Sequence, residues 1–365
     1  KILERTYSRS FSVRPLVSHR IKEEEKKRII LTMQQARILR ALGSRRRALI
    51  KGGAGTGKTL LAVEKARSLA RDGLRTLLLC FNRPLGDYLG EVCSDDRLIN
   101  ATSYHKYCAG VVKVAGEKTN RDFLREAAKE YPVSDLYAVR YPYALALAVE
   151  STSEVYDALV IDEGQDFLRE YWLPLELLLA DSRSSPVYVF YDCNQSIYHK
   201  PIGFPINTDD EYELTVNCRN TQSIHRAAYE YYQGVQTDPP AIIGVPVQAH
   251  CADGIAKQSR EIGKEIVKLI QQESVPADEI AVLILDPTVK KAYQELLFDV
   301  TLPRAYRWTS DPLPRSNCVR VENVHRFKGL ETSIVFLCGF EYTNAHNYRE
   351  LLYVGLSRPQ SELHL

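Results

Sequence analysis

The 365-residue chain carries 48 Lys/Arg against 46 Asp/Glu, a net charge of +2, with 45% hydrophobic and 26% charged residues. At roughly 150 residues per domain this length holds two or three domains with real hydrophobic cores; a small disulfide-stapled scaffold, wholesale disorder and collagen-like repeats are excluded. Near-neutrality excludes a chain-wide basic surface, so any basic groove is local, and the most apolar long stretch, 136–149, is broken by Arg140 and falls short of the ~20 residues of a membrane span.

Residues 1–29 hold nine Lys/Arg against four Asp/Glu, with the run Glu23 to Arg28, and are expected to form a linker or arm built on a solvated charged helix. The sequence begins at Lys1, has Met33 as its only methionine and stops on an apolar strand-like end, so it reads as a fragment. From Ile30, short β-branched or leucine runs alternate with helical patterns. Strands are expected at 48–51, 76–81, 158–161, 187–191, 213–216, 280–285, 318–321, 334–337 and 362–365, the punctuation of parallel sheets covered by helices. A division near 212 separates a first domain, 30–212, with a small insertion at about 108–155, from a second, 213–365. The eight cysteines, Cys80 to Cys338, form no C-x-x-C pair, the pattern of reduced thiols in a cytoplasmic protein.

Gly52, Gly53, Ala54, Gly55, Thr56, Gly57, Lys58 and Thr59 spell G-x-x-x-x-G-K-[ST] between an expected strand and a helix whose Ala62, Ala66, Leu69 and Ala70 share one face. Glycines let backbone N–H groups turn toward a triphosphate. The helix N-terminus adds its dipole, Lys58 a point charge and Thr59 a hydroxyl for Mg²⁺. The apolar strand 158–161 ends in Asp162 and Glu163. Asp162 reads as the Mg²⁺ partner, and Glu163 as the base that orients and deprotonates an attacking water. Hydrolysis of a nucleoside triphosphate is the expected chemistry.

Asp162-Glu163-Gly164-Gln165-Asp166 resembles the second motif of the UvrD/Rep-like superfamily 1A helicases, and further blocks match that group in order: 31–35, 102–105, 192–198, 217–219, 325–331 and 353–358. The resemblance implies an α/β fold of two RecA-like P-loop domains with minimal insertions, ATP between them and single-stranded nucleic acid, DNA rather than RNA, across their tops. It implies that Arg219 and Arg358 reach the γ-phosphate, Gln195 senses it, Glu331 contacts the ribose and Gln35 reads the adenine edge. It also implies that Phe81, Asn82, Arg83, Thr102, Tyr104, His105, Tyr198 and His325 belong to blocks that touch the strand, although core packing is an equal reading of each aromatic alone. Thr32 and Gln35 also fit a capping box.

The chain departs from the family at several positions. Leu60 and Cys218 stand where an arginine and a tyrosine commonly clamp adenine, so modest discrimination among bases is expected. Tyr191-Asp192 replaces Gly-Asp, and Lys200 stands where many members place a base-stacking tryptophan. About sixty residues separate Thr102 from Asp162 and about a hundred separate Arg219 from His325, which leaves no room for a large second-domain insertion. The expectation is a compact 3′ to 5′ motor that unwinds duplex poorly alone. The blocks at 80–85 and 217–221 are similar to those of helicases with a nuclease-related domain (NERD) upstream, which would make such a domain a partner. The rival reading is a nucleic-acid-stimulated ATPase switch, such as a defence effector module, without processive unwinding.

Overall fold

The computed structural model describes residues 15–41, 45–152, 154–195, 204, 206, 210–234, 237–303, 305–313, 315–340 and 347–365, without the side chains of 32–41. A long helix α1 (Val17–Ala41) precedes β1 (Arg47–Gly52), α2 (Lys58–Arg71), β2 (Thr76–Cys80), α3 (Arg83–Val92), β3 (Ile99–Ser103), α4 (Tyr104–Thr119) and α5 (Phe123–Glu130). A π-helical turn, Leu136–Arg140, leads into α6 (Tyr141–Thr152), β4 (Ala158–Ile161), α7 (Trp172–Leu177), β5 (Val187–Tyr191) and β6 (Glu211–Leu214). These strands form one parallel sheet in the order β3-β2-β4-β5-β1-β6.

The second unit runs α8 (Gln222–Tyr229), α9 (Gly254–Gln272), β7 (Ile280–Ile284), α10 (Lys290–Phe298), β8 (Arg307–Thr309), β9 (Cys318–Asn323), α11 (Val324–Phe327), β10 (Thr332–Cys338), α12 (Tyr348–Leu356) and β11 (Pro359–His364). Its sheet is again parallel, ordered β11-β10-β7-β9-β8. Two parallel sheets covered by helices are the α/β architecture of a RecA-like pair.

Local sequence explains the layers. β2, β5, β7 and β10 are buried along their whole length, as continuous apolar runs in a sheet covered on both faces must be. One face of the first sheet, with Ile50, Leu78, Val160 and Phe190, packs on Leu61, Ala62, Ala66 and Leu69 of α2. The other, with Leu77, Leu79, Ile161 and Val189, packs on α4, α6 and α7. The segment 108–155 is helical throughout its ordered elements and stays small.

Two boundaries differ from expectation. β6 pairs in register with β1, Leu49 opposite Glu211 and Gly52 opposite Leu214, so the chain leaves the first sheet after Leu214, past the expected division at 212. The second difference is a correction. The helical part of the expected solvated arm, from Val17, is docked on the second unit. Val17, Ile21, Glu24 and Arg28 are buried at four- and three-residue spacing on one helix face, and Val17 and Ile21 join Ile266, Leu269 and Ile280 in the second core. The run of charges hid the stripe because Glu24 and Arg28 neutralise each other at 3.1 Å and so can be buried together. No described helix is long and apolar enough to cross a membrane.

Candidate functional site

The glycine loop turns between β1 and α2. Gly57 sits at φ 87°, a left-handed conformation that a side chain would strain, and it starts α2 at Lys58. Gly53 answers a different need: a Cβ there would lie 2.1 Å from the Tyr229 hydroxyl. The second unit presses on the loop at several points. Tyr353 accepts from the Ala54 amide at 2.6 Å, Tyr229 donates to the Ala54 carbonyl at 3.1 Å, and the Cys218 amide donates to the Gly55 carbonyl at 2.9 Å. Lys58 Nζ donates to the Gly52 and Gly53 carbonyls at 2.9 and 3.0 Å and lies 3.8 Å from Asp192.

At the end of β4, Asp162 and Glu163 are both buried. Burial and the neighbouring Glu163 charge push the Asp162 carboxyl up to about 7, while Thr59 and Lys58 oppose that rise. Its Oδ1 accepts the Glu163 amide at 3.0 Å, and its buried Oδ2 has no hydrogen-bond partner among the described residues. An orphaned carboxylate oxygen beside the Thr59 hydroxyl fits a divalent cation, which Mg²⁺ sites complete with water and phosphate oxygens. Burial also pushes Glu163 up, but Lys328, Lys58, Arg358 and the Gln165 amide outweigh it, and its carboxyl lies below the ordinary value. Glu163 is at φ 54°, an uncommon conformation for a residue with a side chain and one that concentrates at functional sites.

The chain beyond β6 contributes cations to the same place. Arg358, at the end of α12, donates to Gln195 Oε1 at 3.1 Å, and Gln195 Nε2 donates to Asp192 at 2.8 Å. Arg219 pairs with Glu331, whose other oxygen accepts from Gln360 at 3.1 Å. Lys58, Thr59, Glu163, Gln195, Arg219 and Arg358 line one constriction of about 20 Å³. It continues into a cleft of about 690 Å³, ligand-sized, lined by Arg28, Leu60, Tyr88, Arg219, Glu331 and Gln360 among others. The backbone of Gln35 lies in α1, but its side chain is outside the described residues.

One central residue has no role in the sequence reading. Lys328 is fully buried, and its Nζ donates to Asp166 and to the Gln195 carbonyl, each at 2.5 Å, with Glu163 at 3.9 Å. Burial raises the Asp166 carboxyl to about 7 against the pull of that lysine. Its position within the block 325–331 was the available signal; its burial was not readable from spacing. Asp192, Asn217 and Tyr353 were likewise inside quoted blocks without a stated role.

The residues expected to touch nucleic acid divide. Phe81, Arg83, Thr102, His105 and His325 follow or end strands β2, β3 and β9, at the carboxyl edges where parallel sheets place ligands. Phe81 meets the His105 ring edge-on at 5.3 Å, and the Arg83 side chain is 80% exposed. Tyr104 points the other way. It is wholly buried and stacked on Tyr171 at 4.3 Å, so it packs the core of the first unit. Asn82 is buried between the units, its amide donating to the carbonyls of Lys328 at 2.7 Å and Arg326 at 3.3 Å. Tyr198 and Lys200 lie outside the described residues.

Residues 34–201 match the AAA domain family and residues 319–365 match the UvrD-like helicase C-terminal domain family. Among solved structures, the chain is similar to the crystal structure of Arterivirus nonstructural protein 10 (helicase), at 12% identity and a TM-score of 0.40 over 87% of this chain and 59% of that one. It is similar to the structure of PRRSV helicase at 12% identity and a TM-score of 0.40, over 89% of this chain and 54% of that one. The chain thus spans between half and three-fifths of the length of these structures. No curated protein matches it. An AAA domain match is thus followed by a UvrD-like helicase C-terminal domain match, a pair that indicates a nucleotide-binding, helicase-like P-loop protein.

Proposed function

We propose that the chain hydrolyses ATP in the cleft between its two sheets and uses the cycle to move 3′ to 5′ along single-stranded DNA. The observation that carries this reading is the convergence of Lys58, Glu163 and Gln195 from one unit with Arg219 and Arg358 from the other on a single constriction. A base, a γ-phosphate sensor and two guanidinium groups that meet only across an interdomain cleft make turnover depend on closure.

The residue roles follow from their surroundings. Mg²⁺, held by Thr59 and Asp162, would neutralise charge on the β- and γ-phosphates. Glu163, kept ionised by the cations around it, accepts a proton from the attacking water, and the Gln165 amide fixes its carboxylate. Lys58, Arg219 and Arg358 donate to phosphoryl oxygens as charge develops. Gln195 ties Arg358 to Asp192, and Asp192 faces Lys58 at 3.8 Å, so a change at the γ-phosphate reaches both units through two hydrogen bonds and an ion pair. Opening the cleft breaks the Arg358–Gln195, Lys328–Asp166 and Asn82–Lys328 links together, a discrete step that alternates grip on the strand at the Phe81–Arg83 and His325 edges.

The compactness of 108–155 supports a translocase with weak unwinding of its own; a cytoplasmic setting and an upstream nuclease-like partner domain are part of the same proposal and rest on the sequence alone. The decisive measurement is the ATPase rate of wild type and Glu163→Gln with single-stranded DNA, single-stranded RNA and duplex. Stimulation by single-stranded DNA that Glu163→Gln abolishes is the expected result; no stimulation by any nucleic acid sinks the motor reading. Stimulation without displacement of streptavidin from a biotinylated strand favours the switch.

A further inference from the structure

Helix α1 reaches the nucleotide cleft from outside both sheets, and its Arg28 is bonded there more extensively than its charged surroundings require. Arg28 is only 6% exposed. Its Nε donates to the main-chain carbonyl of Arg219 at 2.7 Å. Its Nη2 shares two hydrogens among the Gln360 carbonyl at 2.8 Å, the Ser361 hydroxyl at 2.7 Å and the Glu24 carboxylate at 3.1 Å. Arg219 and Gln360 flank the cleft, and the Gln360 side chain holds Glu331, the carboxylate paired with the Arg219 guanidinium. One planar fork therefore fixes the main chain on both sides of the Arg219–Glu331 pair. Arg28 also lines the cleft beside Glu25 and Ile29, so α1 is one of its walls.

Arginine suits this position physically. Burial holds its guanidinium below the ordinary value, Glu24 and Glu331 oppose that fall, and the rigid fork meets acceptors in several directions at once. A lysine keeps the cation near Glu24 but lacks the Nε donor that reaches Arg219. The same helix continues to Ala41, just ahead of β1, so the clamp ties the second unit to the entry of the first.

We propose that Arg28 is a positioning residue for Arg219: by clamping the Arg219 main chain and the Gln360 main chain against α1, it sets where the Arg219 guanidinium meets the transferred phosphoryl group. The inference rests on the reading of Arg219 as a γ-phosphate contact. The test uses the full chain with a saturating thymidine oligonucleotide, separating kcat from KM, and measures binding of a fluorescent ADP analogue. Arg219→Ala is expected to lower kcat by about 10³-fold or more, in line with losses at arginine fingers. Arg28→Lys lowers kcat about tenfold with KM and analogue affinity within about threefold, and costs less than about twofold in the Arg219→Ala background, because the two act as one unit. Ser361→Ala removes one acceptor and leaves the Glu24 pair intact. It gives a smaller fall of about two- to threefold that also vanishes in that background, and it keeps the test open should Arg28→Lys fold poorly. Wild-type kcat in both variants, or equal losses in both backgrounds, overturns the proposal and leaves Arg219 standing. An undiminished kcat in Arg219→Ala overturns the reading of Arg219 and the proposal with it.

Discussion

The proposed phosphate end of the cleft and the proposed nucleic-acid edge are both marked by blocks of family likeness, yet they are built differently. At the phosphate end Lys58, Asp162, Glu163, Gln195 and Arg358 are all buried, and each makes polar contacts to other site residues or to the loop. At the edge, Arg83 is exposed, Tyr104 is core and Asn82 is an interdomain link. Blocks expected to grip a strand therefore also couple the two units, as the buried Asn82 does. A buried charged network is sensitive to every deletion, whereas exposed contacts are individually weak.

The largest expected effect tests the dense side directly. Glu163→Gln keeps the shape and the Gln165 contact but removes the proposed base. Steady-state phosphate release is expected to show kcat reduced by about 10²- to 10⁴-fold, with affinity for a fluorescent ATP analogue within about threefold. Retained turnover would dissolve the contrast by making the buried network structural. Next is Lys328→Met. It leaves Asp166 buried without its cation and takes from Glu163 one of the three cations around it, and urea denaturation is expected to show a loss of about 3–5 kcal/mol. Pairing it with Asp166→Asn removes the stranded carboxylate, and recovery of most of that stability would assign the cost to the unpaired charge. No recovery would mean that Lys328 acts mainly through the Gln195 carbonyl.

The nucleoside end of the cleft is intermediate. Leu60 is partly exposed at its wall, and Cys218, whose amide holds Gly55, is buried. With no side-chain cation or ring at those two positions to clamp a base, kcat/KM for ATP and GTP is expected to agree within about tenfold, near the 1–3 kcal/mol that a modest pocket difference gives. A separation of several orders of magnitude would show that this end is as exacting as the phosphate end.

Legibility in the sequence followed the same divide. The loop 52–59 and the Asp162–Glu163 pair were readable because their chemistry requires fixed spacing beside an apolar strand. β2, β5 and β10 were readable because strands buried on both faces are unbroken apolar runs. β3 was missed because Asn100, Ala101 and Thr102 carry no such run; it is held by pairing along β2. The docking of α1 was missed because its buried face includes Glu24 and Arg28, which read as solvated until each is seen opposite the other. Lys328 shows the general limit: spacing marks a block as functional, but whether a lysine faces water or a buried aspartate is decided by residues more than a hundred positions away.

The smallest expected effect tests the sparse side. Arg83 opens α3 with a side chain 80% exposed, its nearest carboxylate, Asp87, only at the 4.0 Å limit. A single exposed cation of this kind contributes through counterion release. Arg83→Ala is therefore expected to weaken single-stranded DNA binding by a few-fold at moderate salt and to reduce the slope of log K against log salt by about 0.7. Tyr104→Phe removes a hydroxyl buried in the core and is expected to leave both quantities unchanged, although the resemblance implies strand contact for both residues. Fluorescence anisotropy of a labelled oligonucleotide across a salt series separates them. A salt slope altered by Tyr104→Phe, or unaltered by Arg83→Ala, would place the strand on a different surface from the exposed edge of β2 and α3.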